Sequence, residues 1–221
     1  MKAAHTGVAT RRQGLSYIWV TWLAKLLGGN RCVWSAWFKA HFKYEKFEEQ
    51  AADLERWNKN HDRLMLAKRR QLERDGWTVY VEGDNEFQLK GQTAIVAGKA
   101  DLIAVKDDHI LVVDGKTGRK RDADMWQVLI YLYALPKSRP ELTNGRSIEG
   151  EVHYADDDIS IVPDQLTDAR RSQLFTLIQA VASDTPPAKH PSRDECKRCN
   201  IGVRDCPQRI SARQPAAVGD F

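Results

Sequence analysis

No apolar run in the 221-residue chain approaches the roughly 18 residues that a membrane-spanning helix requires. The most apolar stretch, Tyr17–Leu27, is short and broken by Lys25. The Gly28-Gly29-Asn30-Arg31 behind it lacks the small-x-small pattern of a cleaved leader. A cytoplasmic protein without a membrane partner is therefore expected. Cysteine is scarce too: four in the whole chain, too few for a disulfide-built scaffold. Acid is missing from the first fifth, where no Asp or Glu precedes Glu45. What is present excludes wholesale disorder: a hydrophobic content of 42%, with seven Trp, six Tyr and six Phe. Such a chain buries one sizeable core or two small ones.

The missing acid makes the charge lopsided. Lys2, Arg11, Arg12, Lys25, Arg31, Lys39 and Lys43 stand unopposed before Glu45, so the formal charge of +4 arises entirely in this segment. A lopsided cationic segment suggests an anionic partner without saying which.

The cysteines are Cys32, Cys196, Cys199 and Cys206. Three form a C-x2-C-x6-C pattern near the C-terminus, and Cys206 is followed by Pro207. Thiols two residues apart turn their sulfurs toward one metal centre. Four thiolates match a cubane iron–sulfur cluster, and Cys-Pro recurs in such ligand runs. A four-thiolate zinc site and free thiols are the alternatives. If all four ligate, the two ends of the chain meet, which favours one closed domain over two. The expected division is a mobile basic arm over 1–15, a single domain over 16–209 and a tail over 210–221. Within the domain, 45–182 form the core, and 16–44 with 186–209 form the cluster lobe.

Residues 16–28 and 31–75 read as helical, the second stretch carrying Leu54, Trp57, His61, Leu64, Met65 and Leu72 at helical spacing. Short β-branched segments follow at 77–82, 86–89, 93–96, 99–105 and 109–113. A helix over Asp122–Leu135, stopped by Pro136, leads into a polar loop over 137–150. A hairpin around Asp156-Asp157-Asp158, a helix over Leu166–Ala182 and a stiff Pro186–Pro191 linker complete the order. The fold class expected is α/β: a mixed central sheet flanked by helices.

The sharpest chemistry lies between Gly98 and Tyr131. A hairpin of Lys99–Lys106 and His109–Lys116, closed by Asp107-Asp108, pairs Asp101 with Asp114. Their Cβ atoms would lie roughly 5 Å apart. Two charges there repel by roughly 3 kcal/mol at an effective dielectric near 20, so a compensating cation is required. Lys116, two residues past Asp114, points to the same face. Two carboxylates and a lysine at a strand end can hold a hard divalent ion, which polarises phosphate and acidifies bound water. Gln127 and Tyr131, at i and i+4, share one face of the next helix. On its own each of these signals has a bland reading: surface Asp near a turn, a polar helix face, a core histidine at His61.

Taken in order, Gly98-Lys99-Ala100-Asp101, Val113-Asp114-Gly115-Lys116-Thr117-Gly118 and Gln127-x3-Tyr131 resemble the motifs of the PD-(D/E)XK nucleases, in particular the RecB-like branch. One cysteine before the core and three after it resemble the iron–sulfur members: the CRISPR-associated Cas-four nucleases, the AddB nuclease domain and a eukaryotic helicase-nuclease. The resemblance implies the restriction-endonuclease-like fold with a helical iron–sulfur lobe. It implies that His61, Asp101, Asp114 and the Gly115 carbonyl bind Mg²⁺ or Mn²⁺, and that Lys116 orients or activates water. Gln127 and Tyr131 would position the strand and the lysine, and Cys32, Cys196, Cys199 and Cys206 would hold a [4Fe–4S] cluster. The implied activity is a deoxyribonuclease, an exonuclease on single-stranded DNA with 5′→3′ polarity. It would serve CRISPR spacer acquisition, hence antiviral defence, or DNA repair, with the proteins of those pathways as partners. The alternative is a non-catalytic DNA-binding adaptor. Asp114 stands where the wider superfamily more often has Glu.

Trp19, Trp22, Trp34 and Trp37, interleaved with Lys25, Arg31 and Lys39, have the chemistry of a single-strand surface, although helical tryptophans are more often core. Arg119, Lys120 and Arg121, just past Lys116, are the expected DNA contacts. Lys68-Arg69-Arg70 sits on an alternating-charge helix whose default is a solvated face.

Overall fold

The computed structural model describes residues 8–47 and 51–210. Positions 1–7 of the expected arm, 211–221 of the tail and 48–50 of the long helix lie outside the described residues. The chain opens with strand β1 (Thr10–Arg11), strand β2 (Ser16–Trp19), helix α1 (Val20–Leu27), helix α2 (Val33–His41) and strand β3 (Phe42–Lys43). Helix α3 (Ala51–Arg74) leads to strands β4 (Thr78–Val81), β5 (Glu86–Lys90), β6 (Ala94–Lys99), β7 (Leu102–Lys106) and β8 (His109–Gly115). Helices α4 (Asp122–Ser138) and α5 (Pro140–Thr143), strands β9 (Ser147–His153) and β10 (Asp158–Ile161), and helices α6 (Asp168–Ala182) and α7 (Arg193–Arg198) follow.

The central sheet has five strands in the order β10-β9-β8-β7-β4, parallel between β8 and β9 and antiparallel elsewhere. A parallel pair needs a crossover, and α4 supplies it. Both faces are covered, as the alternation along the strands requires. Leu102, Ala104 and Val113 pack with Met65 and Leu72 of α3. Ile103, Ile110, Val112 and Val152 pack with Val128, Leu129, Ile130 and Leu132 of α4. A smaller sheet, β2-β6-β5, lies beyond, and α1 abuts the start of α4. A Cβ at Gly28 would stand 2.4 Å from the Ala123 backbone nitrogen, so only glycine permits that approach. Among the described residues no helix is long and apolar enough to cross a membrane.

Several elements differ from the sequence expectation. Ser16–Trp19 is a strand, not the first turn of a helix: Tyr17, Ile18 and Trp19 are strand formers, and they pair in parallel with Ile95, Val96 and Ala97. The helix expected over 31–75 is broken after His41, where Phe42 turns extended (φ −128°, ψ 145°) to pair with Arg11. Within the segment expected to be a mobile arm, Thr10–Arg11 thus forms a strand with Phe42–Lys43, and Arg11 meets Asp184 at 2.6 Å. Pro136 does not stop α4. It falls in the last turn, where the helix continues to Ser138 and the Arg139 N–H still reaches the Leu135 carbonyl at 2.8 Å. The polar loop expected over 137–150 holds α5 and the first residues of β9.

The strand expected over Lys99–Lys106 is two strands. The chain leaves the small sheet at Lys99 and enters the central one at Leu102. Side chains replace the lost ladder bonds: Asn85 Nδ2 donates to the Ala100 carbonyl at 3.2 Å and to the Tyr80 carbonyl at 2.9 Å. The β7–β8 register nonetheless follows the expected hairpin, Leu102 facing Val113 and Lys106 facing His109. Asp107 takes the left-handed conformation (φ 51°) that its two-residue turn needs and that Asp tolerates.

Candidate active site

The end of β8, the bend before β7 and the facing sides of α3 and α4 meet at one point. Carrying the hairpin register one step past Leu102 and Val113 sets Asp101 opposite Asp114. Asp101 lies in the bend, and its Oδ2 accepts the Gly115 N–H at 2.7 Å, so the carboxylate does the work of a missing ladder partner. The same oxygen lies 3.1 Å from His61 Nε2 on α3. Bonding to Asp101 raises the His61 pKa despite partial burial. Helix α3 can come this close because residue 115 is glycine: a Cβ there would stand 2.1 Å from Met65 Sδ and 3.4 Å from His61 Nε2.

Asp114 is the buried member, its side chain 2% exposed. Its Oδ1 accepts from Gln127 Nε2 at 2.7 Å. The other Gln127 hydrogen goes to the Tyr131 hydroxyl at 2.9 Å, and Gln127 Oε1 accepts from Lys116 Nζ at 3.2 Å. Every polar group of that amide is therefore used, and its orientation is fixed. Tyr131 in turn donates to the Lys99 carbonyl at 2.9 Å, the last residue of β6. Burial holds the Tyr131 phenol well above its ordinary pKa, so it remains a donor. Lys116 Nζ forms an ion pair with Asp114 Oδ2, yet that buried oxygen has no well-directed hydrogen bond. Burial pushes the Asp114 carboxyl up to about 7, against the pull of Lys116 and with help from Asp101. Burial drags Lys116 down, but the Asp114 charge outweighs it and the lysine ends above its ordinary value. A buried carboxylate paired with a lysine, beside a second carboxylate and an imidazole, is a donor set that a hard divalent cation can take.

All seven residues expected at the site, His61, Asp101, Asp114, Gly115, Lys116, Gln127 and Tyr131, are thus brought to one place. The flanking cations are less uniform. Arg119 is exposed; Lys120 pairs with Asp157 and lies 5.6 Å from the Tyr154 ring centre; Arg121 leads into α4. Lys120 and Arg121 line a cavity of about 1020 Å³ together with Lys25 and Lys39. Of the four tryptophans near the N-terminus, Trp34 and Trp37 are core. Lys68 is not solvated: it is buried against Glu151 Oε1 at 2.6 Å and Asp158 Oδ2 at 3.0 Å.

The four cysteines border that same cavity. Cys32, Cys199 and Cys206 pack around Trp34, Trp37, Phe38 and Ile201. Glu195 stitches the two ends of the chain together by accepting the Arg31 and Cys32 N–H groups at 2.7 and 3.1 Å. Burial and the neighbouring thiols raise the Cys206 pKa. Among the described residues no three of these sulfurs lie within 4.8 Å of one another. A zinc ion with 2.3 Å bonds would hold them about 3.8 Å apart.

One potential ligand group escaped the sequence reading. Glu151, His153 and Asp158 place ligand atoms within 4.8 Å of one another. The signal was present in the hairpin, where Asp158 pairs with His153 and Glu151 lies two residues away on the same face. Lys68 already balances the charge there.

A family model of the PD-(D/E)XK nuclease superfamily matches residues 28–206. No curated protein matches the chain. Among solved structures, one described as "Crystal structure of SSO0001" is similar at 16% identity, with 91% of each chain covered and a TM-score of 0.47. With four-fifths of its length matched, the chain belongs to the PD-(D/E)XK nuclease superfamily, whose members typically cleave phosphodiester bonds with divalent metals.

Proposed function

We propose that the protein is a Mg²⁺- or Mn²⁺-dependent deoxyribonuclease of the RecB-like, Cas-four type, acting as a 5′→3′ exonuclease on single-stranded DNA. The observation that carries this reading is the convergence of the buried Asp114–Lys116 ion pair with the Asp101–His61 pair at the end of the β7–β8 hairpin. His61, Asp101, Asp114 and the Gly115 carbonyl would hold the ion, which supplies phosphate polarisation and an acidified water when bound. The rest is done by the protein. Gln127 bridges the Asp114 carboxylate and the Lys116 ammonium and so fixes both. Lys116 stays protonated and offsets the charge that builds on the phosphate oxygens as the bond breaks. Tyr131 ties this assembly to the end of β6 and keeps it from shifting toward solvent. Lys25, Lys39 and Arg121, in the adjoining cavity, give the DNA backbone a cationic wall.

Cys32, Cys196, Cys199 and Cys206 are assigned to a [4Fe–4S] cluster. The support for this assignment is their number, their C-x2-C-x6-C-Pro spacing and the one cavity that all four line. The pathway served would be CRISPR spacer acquisition or DNA repair. The test uses protein purified without air, labelled single-stranded DNA and Mn²⁺. Lys116→Ala should lower cleavage about 10²–10³-fold while DNA binding persists. Full activity in that variant overturns the site assignment, and a colourless protein with stoichiometric zinc overturns the cluster.

A further inference from the structure

Trp57 lies one turn before His61 on α3, and its ring is stacked on the imidazole with centres 5.1 Å apart and planes at 21°. It is 48% exposed, the largest side chain among the exposed hydrophobics. One face of the indole rests on the imidazole, and the exposed remainder is open to a partner beside the metal-site residues. On the other side of His61, an open cleft of about 250 Å³ runs past Met65, Leu66 and Arg69 to Asp101. His61 lines that cleft and also carries the Trp57 ring, so the aromatic plate lies one helical turn from the proposed metal site.

We infer that Trp57 is a substrate-binding residue that stacks on a nucleobase of unpaired DNA next to the phosphate being cut. The inference rests on the nuclease reading above and adds the surface that would select unpaired over paired DNA. Every base has a π-face, so such a plate grips single strands without regard to sequence, whereas a base inside a duplex has no free face to offer. The helix rise puts Trp57 about 6 Å from His61 along α3. That is one to two nucleotides at the roughly 3.4 Å step of stacked DNA, so the gripped base lies within two positions of the cut. The same ring also limits how His61 can swing, which gives a second role to be separated from the first.

The experiment measures binding of short fluorescent oligothymidylates in Ca²⁺, with one abasic residue scanned through the sequence, and then cleavage of the same set in Mn²⁺. Trp57→Ala should bind intact oligonucleotide roughly 5- to 100-fold more weakly, and Trp57→Phe should recover most of this. An abasic residue at one position within two nucleotides of the cut should penalise the wild type by a similar factor and Trp57→Ala not at all. Equal affinity of Trp57→Ala and wild type overturns the proposal. So does an abasic penalty that survives in Trp57→Ala, or a fall in kcat at unchanged KM, which would mean that the ring serves only to hold His61. A Trp57-dependent penalty in a protein that binds but does not cut leaves the plate standing and refutes the nuclease reading. Cleavage indifferent to Trp57 does the reverse.

Discussion

Replacing Lys68 tests how α3, and with it His61, is held to the sheet. Its side chain is 4% exposed, and its ammonium bridges Glu151 of β9 and Asp158 of β10. Removing one partner of a buried ion pair costs about 3–5 kcal/mol, because the other charge is left without an answer. Asp158 is 43% exposed and retains water and His153 as partners, so its share is screened. The low end, about 3 kcal/mol, is therefore expected for Lys68→Ala. In a chain of this size it lowers the melting temperature by about 6–12 °C. The penalty also has a pH signature. The Asp158 pKa is lowered in the fold: burial raises it, but bonds from His153 and Lys68 outweigh that. A depressed carboxylate stabilises the protein above its unfolded pKa and loses that stabilisation as the pH falls through its folded value. The Lys68→Ala deficit should be full at neutral pH and shrink as the pH falls below about 4. Thermal melts followed by circular dichroism read both effects. The double variant Lys68→Met/Glu151→Gln, which removes both charges, should recover much of the loss. A Lys68→Ala protein melting within about 2 °C of wild type at neutral pH refutes the reasoning.

Tyr131→Phe leaves the half-buried Lys99 carbonyl without this donor and should cost about 1 kcal/mol by chemical denaturation, with a fall in kcat larger than any change in KM. Gly115→Ala drives a methyl into Met65 Sδ and displaces α3 from Asp101; a drop of at least tenfold in Mn²⁺ affinity by calorimetry is expected, and unchanged affinity would remove His61 from the ligand set. Cys32→Ser should lower the iron content of anaerobically purified protein and its visible absorbance, while the isolated β7–β8 hairpin register, read by amide exchange, stays protected.

Much of the site was legible because it is local. Asp101, Asp114 and Lys116 belong to one hairpin, and the period of two with a two-residue turn fixes which residues face each other. Gln127 and Tyr131 follow from helical spacing alone. What stayed hidden depended on distant partners. Ser16–Trp19 looks like the start of an apolar helix until β6 is present to pair with it. The break at Phe42 exists because Arg11 waits across from it. Lys68 reads as a solvated charge on its own helix, and only the β9–β10 hairpin buries it. The contact of Gly115 with Met65 joins residues 50 positions apart, and no pattern within either segment announces it.

The bond from Glu195 back to Arg31 spans 164 residues, so the lobe that carries the cysteines is a closure, not a segment. By loop-length scaling, closing it costs roughly 4–5 kcal/mol of chain entropy, whereas the β7–β8 hairpin closes over two residues at almost none. The nuclease hairpin can therefore form early, and the thiol lobe must form late. Synthesis sharpens the order. At roughly 5–20 residues per second, Cys32 is added to the chain about 8–33 s before the first of the other three cysteines. For that interval it is a lone thiol on a basic segment, open to oxidation. A pulse of a thiol-blocking reagent during synthesis should therefore mark Cys32 before Cys196, Cys199 and Cys206 exist to be marked.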